Sequence, residues 1–152
     1  MVQTRPAEAC GTAAAVEVDS DALVPVWAAG IASAPGAHDE LVRQLVAAQL
    51  LRRKAVAVRY FAVLVDERPV SYCELFSNGA TGQVESVLTL PEHRGKGYAR
   101  AIVTRAANES RMMGHDVTFL TADEDDWPKE LYAKLGFERV ARVWDFAKGD
   151  RV

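Results

Sequence analysis

The sequence is poor in cysteine and histidine, which limits the metal and disulfide chemistry that it can support. Only two of its 152 residues are cysteines and only three are histidines. Cys10 and Cys73 match neither a disulfide framework nor a metal-ligand spacing, and His38, His93 and His115 do not form a ligand triad. We therefore expect no metal, and we take a reduced, cytoplasmic protein as the default.

Long apolar runs and an excess of basic residues are also missing. No stretch reaches the roughly 20 residues needed to span a bilayer, and the N-terminus lacks the basic and apolar segments of a signal peptide. A formal net charge of −3 argues against a nucleic-acid binder, which usually carries a basic face. The length suits one domain over residues 1–152, in which residues 1–12 are predicted to form a loose arm.

Apolar periodicity predicts an α/β fold with a mixed, mostly antiparallel sheet flanked by helices. A short first strand at residues 13–18 precedes a helix that starts at Asp19 or Ser20, where Pro25 is acceptable only in the first turn. Further helices are predicted at residues 39–54, 99–113 and 128–135, and further strands at residues 59–65, 70–76, 83–90, 116–121 and 139–146. The last of these strands is expected to close the sheet.

The most informative stretch is the strand, loop and helix of residues 83–114. The first N–H groups of a helix have no intrahelical partners, and the helix dipole is positive there, so an anion can bind. Gly95 and Gly97 lie where the helix begins and leave room for such an anion, while Arg94 and Lys96 add positive charge. The loop is therefore predicted to bind a pyrophosphate.

Two familiar phosphate motifs do not fit this loop. A P-loop needs Gly-Lys-Ser/Thr after four intervening residues, and a dinucleotide fingerprint needs a third glycine where this chain has Arg100. Residues 94–99 (Arg-Gly-Lys-Gly-Tyr-Ala) instead resemble the R/Q-x-x-G-x-G/A signature of the GNAT superfamily of N-acetyltransferases. The resemblance implies a GNAT-like fold and acetyl-CoA as the acyl donor. It assigns pyrophosphate binding to Arg94, Gly95, Lys96, Gly97, Tyr98 and Ala99, and pantetheine pairing to the backbone of Val87, Leu88 and Leu90.

A second segment, Leu-Tyr-Ala-Lys-Leu-Gly-Phe at residues 131–137, resembles the other recurring segment of the same superfamily. There, a helix tyrosine lies beside the CoA sulfur, and Tyr132 takes that position in this chain. The resemblance thus implies that Tyr132 protonates the departing thiolate, although a core aromatic is the simpler alternative. Asp125 stands seven residues earlier, where relatives often carry a cofactor-contacting asparagine.

Attack of an amine on a thioester requires a group that takes the amine proton, and Glu85 is the candidate on the central strand. Glu74 on the neighbouring strand is the competing base, a water chain is a third possibility, and a structural ion pair is the non-catalytic alternative for Glu85. Strand alternation predicts one face with Gln83, Glu85 and Val87 and the other with Val84, Ser86 and Leu88. A backbone N–H left free by separating strands would stabilise the oxyanion.

Together these features predict transfer of acetyl from acetyl-CoA to a primary amine, carried by a small molecule or a peptide, with neither nucleic acid nor membrane as a partner. An acyl-CoA-binding sensor without turnover and an unrelated phosphate-ligand protein are the alternatives. The acidic residues 123–126 either attract a cationic amine or form a solvated loop. Relatives of this kind are often dimeric, so a homodimer is possible.

Overall fold

The computed structural model describes residues 1–7, 13–144 and 146, and it shows a seven-stranded mixed sheet flanked by helices. The strands are β1 (Val2–Gln3), β2 (Val16–Val18), β3 (Ala57–Val65), β4 (Arg68–Asn78), β5 (Thr81–Thr89), β6 (Val117–Leu120) and β7 (Phe137–Glu138). The helices are α1 (Ser20–Ala32), α2 (Asp39–Ala55), α3 (Tyr98–Met112) and α4 (Pro128–Lys134), and a 3-10 turn spans Pro91–His93. The strand order is β2-β3-β4-β5-β6-β1-β7. The predicted fold class is confirmed.

Strands β3, β4 and β5 form an antiparallel meander with tight turns. Between β3 and β4, Asp66 and Glu67 have φ of 48° and 62°. Two left-handed residues in a two-residue hairpin match the right-handed twist of the strands that they join. The edge strand β2 pairs with β3, and Arg59 binds both carboxylate oxygens of Glu17 on β2, at 2.6 and 2.7 Å.

The sheet buries apolar side chains on both faces. On one face, residues such as Phe61, Leu75 and Leu120 pack with Ile102 and Val103 of α3. On the other face, α1 supplies the side chains that cover the sheet: Leu23, Val26 and Trp27 pack with Tyr60, Ala62 and Tyr72. The central strands are therefore held from both sides, which fixes the position of any functional group that they carry.

The parallel pairing of β5 with β6 is short. It runs from Thr81 opposite Val117 to Val84 opposite Leu120, whereas β5 itself continues to Thr89. β6 ends at Leu120, so its pairing with β5 stops at Val84, and a cavity lies between the following residues of β5 and the segment after β6.

The N-terminal residues correct the expectation of a loose arm. Val2 and Gln3 form β1, which fills the place between β6 and β7, and Ala7 is buried in the core. Backbone pairing on both edges, together with this burial, holds the segment, so residues 1–7 belong to the fold. Residues 8–12, with Cys10, lie outside the described part of the chain.

Two further expectations about the outer elements are wrong. In the described part of residues 139–146 there is no strand, because β1 occupies the place beside β6 and Arg139 and Arg142 bind Glu124 instead, at 3.2 and 2.7 Å. Pro25 lies inside α1, beyond its first turn. The buried side chains of Val26 and Trp27 hold the helix there, although proline removes one backbone hydrogen bond.

Candidate active site

The gap between β5 and β6 contains a cavity of about 180 Å³. Its walls come from β5, from the end of β6 with the following loop, and from α4. The lining residues are Val84, Glu85, Ser86, Val87, Leu120, Thr121, Ala122, Asp123, Pro128 and Tyr132. The cavity therefore brings together Glu85 and Tyr132, the two side chains that sequence analysis assigned to proton transfer.

A β-bulge at Ser86 shapes one wall of this cavity. Ser86 has φ of 54°, which is uncommon for a residue with a side chain, and the β4–β5 register shifts beside it. The predicted alternation of β5 is wrong beyond this point, because the extra residue turns the strand over. Val87 packs with Val84 in the α3-side core, and Leu88 packs on the α1 side.

Glu85 is the first residue of β5 beyond the last pair with β6, and its carboxylate is partly buried. One carboxylate oxygen accepts hydrogen bonds from Gln83 Nε2 at 2.5 Å and from Thr121 Oγ1 at 3.2 Å. These two donors fix the direction of the carboxylate towards the end of β6.

Glu74 lies directly opposite Glu85 in the antiparallel pairing of β4 and β5. Only 1% of Glu74 is exposed, and its carboxylate accepts a hydrogen bond from Ser86 Oγ at 3.1 Å. Side chains of directly paired residues are close neighbours on one face of a sheet. Two carboxylates thus adjoin the cavity wall, one that lines the cavity and one buried behind it.

Tyr132 reaches the cavity from α4 and is 6% exposed. Burial, reinforced by Cys73, Glu85 and Asp126, raises the pKa of Tyr132 to about 12. The phenol is therefore protonated at neutral pH and can donate a proton or a hydrogen bond. Burial also raises the pKa of the Cys73 thiol, so this cysteine is not a reactive thiolate.

The glycine-rich loop of residues 94–97 leads from the 3-10 turn after β5 to the first turn of α3 and is exposed. Gly95 and Gly97 have φ of 76° and 80°, in the left-handed region that glycine adopts without strain. A Cβ atom at either position would meet nothing within 4 Å. Arg94 is held by a hydrogen bond from its Nε to the carbonyl of Thr89 at 3.3 Å. This open, basic helix start fits a pyrophosphate.

The remaining residues of the predicted cofactor set are distributed along the same path. Val87 lines the cavity, Leu88 packs on the α1 side, and Leu90 contacts both apolar clusters just before the loop. Tyr98 and Ala99 open α3, where Tyr98 stacks on His93 with ring centroids 6.4 Å apart. The end of β5, Leu90 and the 3-10 turn that follows therefore connect the cavity to the glycine-rich loop.

The acidic loop of residues 123–126 contributes to the lining of the cavity. Asp123 lines the cavity, whereas Asp125 lies on the exposed loop and donates its N–H to Asp123 Oδ1 at 2.9 Å. Asp126 accepts the N–H of Trp127 at 2.7 Å, and Glu124 binds two arginines. Part of the charge of this loop is therefore engaged locally.

Sequence analysis also missed the contributions of Ser86 and Thr121. Neither residue carries a local signal, since each is a hydroxyl residue within an apolar strand segment. Among the described residues, no group of three or more His, Cys, Asp or Glu side chains is arranged to hold a metal. None of the helices in these described ranges combines the length and the apolar character that a membrane span requires.

Comparisons with solved structures establish the fold. A structure of AAC(6')-Iy in complex with the bisubstrate analogue CoA-S-monomethyl-acetylneamine matches with a TM-score of 0.67 at 15% identity, covering 91% of this chain and 99% of that one. Glucosamine-6-phosphate N-acetyltransferase from Arabidopsis thaliana matches with a TM-score of 0.64 at 12% identity, covering 90% and 98%. A protein assigned to the GNAT family from Novosphingobium aromaticivorans gives 0.62 at 19% identity, and this chain covers 56% of its length.

Sequence comparison identifies the family. Among curated proteins, none matches this chain closely enough to count as a relative. A family model described as an acetyltransferase (GNAT) domain matches residues 56–139, which is more than half of the chain. That range includes the glycine-rich loop, β5 with its bulge, and α4. The chain therefore belongs to the GNAT family of acetyltransferases.

Proposed function

We propose that this protein is an acetyl-CoA-dependent N-acetyltransferase in which Glu85 is the general base and Tyr132 the general acid. The observation that carries the proposal is that a carboxylate and a protonated phenol line one cavity, where β5 separates from β6. The path along β5 to the glycine-rich loop suits a donor whose thioester and pyrophosphate are joined by an extended pantetheine arm. In this proposal, residues 1–152 form a single acetyltransferase domain.

The proposed reaction is direct transfer. The neutral amine nitrogen attacks the thioester carbonyl carbon, the new C–N bond forms, and the C–S bond breaks as the tetrahedral intermediate collapses. Glu85 takes the proton that the amine nitrogen loses, and Tyr132 gives a proton to the departing thiolate sulfur. Backbone N–H groups of β5 beyond Val84 are suitable oxyanion donors, because the pairing with β6 has ended there. Proton return from Glu85 to Tyr132 through water restores both groups.

The charges of the cavity favour an acceptor that is cationic near its reacting nitrogen. Among the described residues that line the cavity, Glu85 and Asp123 are the ionisable ones besides Tyr132, and both are acidic. An anionic acceptor would be repelled, whereas an ammonium group would be attracted before it loses its proton. Of the acceptor types named for the structural neighbours, we therefore favour an amine like that of the neamine analogue over a phosphorylated sugar.

The test is a turnover screen that detects free thiol released from acetyl-CoA across an amine library. Glucosamine and glucosamine 6-phosphate form a matched pair, which we expect to differ in kcat/KM by at least about tenfold in favour of the sugar without the phosphate. Mass spectrometry of the product confirms acetylation. Binding of acetyl-CoA without thiol release from any amine would support the alternative of a non-catalytic acyl-CoA-binding protein.

A further inference from the structure

We propose that the N-terminal strand β1 and the two residues after it position Tyr132, so that the segment of residues 2–5 is a working part of the active site. The inference rests on the proposed acid role of Tyr132. Its basis is the strand order, in which β1 lies between β6 and β7 and is the strand that joins them. β6 leads into the cavity wall, and β7 follows directly on the helix that carries Tyr132.

Each edge of β1 has its own partners. On one edge, Val2 lies opposite Phe119 of β6, and the N–H of Leu120 donates to the carbonyl of Met1 at 2.9 Å. On the other edge, Val2 and Gln3 lie opposite Glu138 and Phe137 of β7. β1 thereby links the backbone at Leu120, which lines the cavity, to β7, the strand that follows α4.

The closest connection to Tyr132 is made at Gly136, four residues further along the chain. The carbonyl of Gly136 accepts the N–H of Thr4 at 2.9 Å and that of Arg5 at 3.4 Å. Gly136 has φ of 84°, and a Cβ atom there would lie 2.5 Å from the carbonyl oxygen of Arg5. The backbone of the N-terminal segment therefore packs directly against the turn that ends α4, in a contact that only glycine permits.

Helix α4 depends on such external contacts because it has only seven residues. Isolated helices of this length are not stable in water, so packing determines where the helix lies. Tyr132, Leu135 and Phe137 are buried on one side, and the bonds from Thr4 and Arg5 fix the backbone at the C-terminal end. A shift of about 1 Å in a reacting group can reduce turnover by roughly 100-fold.

The test compares Thr4→Pro with Thr4→Val in the full chain. Both variants lose the Thr4 hydroxyl, which bonds to Glu138 at 2.6 Å and to the Gly136 carbonyl at 3.4 Å, but only proline also removes the backbone N–H that bonds to Gly136. We expect Thr4→Pro to lower kcat at least about tenfold while the Kd for acetyl-CoA stays within about twofold, because the glycine-rich loop is on another element. In the control variant Thr4→Val, kcat should stay within about threefold of the wild-type value.

Two further measurements separate positioning from general destabilisation. Amide hydrogen exchange in Thr4→Pro should accelerate in α4 and β7 and remain unchanged in α3. In a Tyr132→Phe background, Thr4→Pro should change kcat by less than about threefold, since the group that it positions is already absent. Unchanged exchange in α4, equal effects in both backgrounds, or parallel losses in α3 protection and acetyl-CoA affinity would each overturn the proposal.

A failure of the proposed acid role of Tyr132 can be distinguished from a failure of the positioning proposal. A Tyr132→Phe variant with wild-type kcat would refute the acid role of Tyr132, and with it the catalytic consequence of the positioning. The exchange measurement uses no substrate, so it reports the coupling between the N-terminal strand and α4 whatever the turnover assay shows.

Discussion

Replacement of Gly97 by aspartate tests whether the glycine-rich loop binds the donor. In the unliganded protein the change should be tolerated, because a Cβ at Gly97 meets nothing within 4 Å. The left-handed φ of 80° costs a residue with a side chain roughly 1–2 kcal/mol. A negative charge at the start of α3 stabilises the folded protein by about 0.3–1 kcal/mol through its interaction with the helix dipole. We therefore expect a free energy of unfolding lowered by about 0–2 kcal/mol.

Gly97→Asp should weaken the binding of acetyl-CoA more than it lowers the free energy of unfolding. The new carboxylate would stand where the pyrophosphate is expected to meet the free N–H groups of α3, and like charges about 4 Å apart repel by roughly 1–4 kcal/mol near a protein surface. That repulsion corresponds to a loss of roughly 5- to 1,000-fold in acetyl-CoA affinity, before any loss of N–H contacts is counted.

Calorimetric titration of wild type and variant with acetyl-CoA measures this loss, and Gly79→Asp is the matched control. Gly79 also has a positive φ, of 57°, and open space around a Cβ, but it lies in the turn between β4 and β5. Gly79→Asp should therefore have similar strain and wild-type affinity. Saturation at about 100 times Kd should stabilise wild type and control by roughly 2.7 kcal/mol. Equal acetyl-CoA affinity in Gly97→Asp and wild type would refute binding at this loop.

Three further outcomes are expected. Glu85→Gln should lower kcat by about 10²–10⁴-fold with little change in acetyl-CoA Kd, and an unchanged pH–rate profile would exclude Glu85 as the base. Tyr132→Phe should lower kcat without unfolding the protein; since the pKa of Tyr132 is about 12, the wild-type rate should show no loss from its ionisation at neutral pH. Arg59 lowers the pKa of Glu17 through its hydrogen bond. The pair therefore stabilises the protein fully at pH values above 4.5, the pKa of Glu17 in the unfolded state, and this stabilisation is lost as the pH falls through the lower pKa of the folded state. In Glu17→Gln, urea unfolding from about pH 6 to about pH 3 should therefore show a weaker pH dependence than in wild type.

The parts of the fold that the sequence predicts well are those with local signals. The helix after the glycine-rich loop has apolar spacing along its length and a glycine at each end, and α3 accordingly spans Tyr98–Met112. The hairpin turn at Asp66 and Glu67 lies between the two predicted strands at residues 59–65 and 70–76. Strand β5 runs from Thr81 to Thr89, close to the predicted residues 83–90, because its own residues favour an extended backbone.

The ends of the chain could not be predicted in this way, because their structure depends on distant partners. Val2 and Gln3 have no strand pattern of their own, and their place is created by β6 and β7, which lie more than a hundred residues later. The apolar residues after Glu138 favour a strand locally, yet Arg139 and Arg142 are drawn to Glu124. Long-range pairing therefore overrides the local preference at both ends.

The shape of the candidate active site depends on one residue, Ser86, whose conformation could not be predicted from the sequence. Alternation along β5 would place Glu85 and Val87 on one face, but Ser86 in the left-handed conformation adds a residue to the strand and brings Val87 back to the core. A serine within a predicted strand does not indicate a left-handed conformation. Its hydroxyl bonds to the buried Glu74, which offsets part of the roughly 1–3 kcal/mol that such strain costs. The bulge thereby keeps Glu85 at the cavity and Val87 in the core, so the geometry of the site depends on an interaction between neighbouring strands.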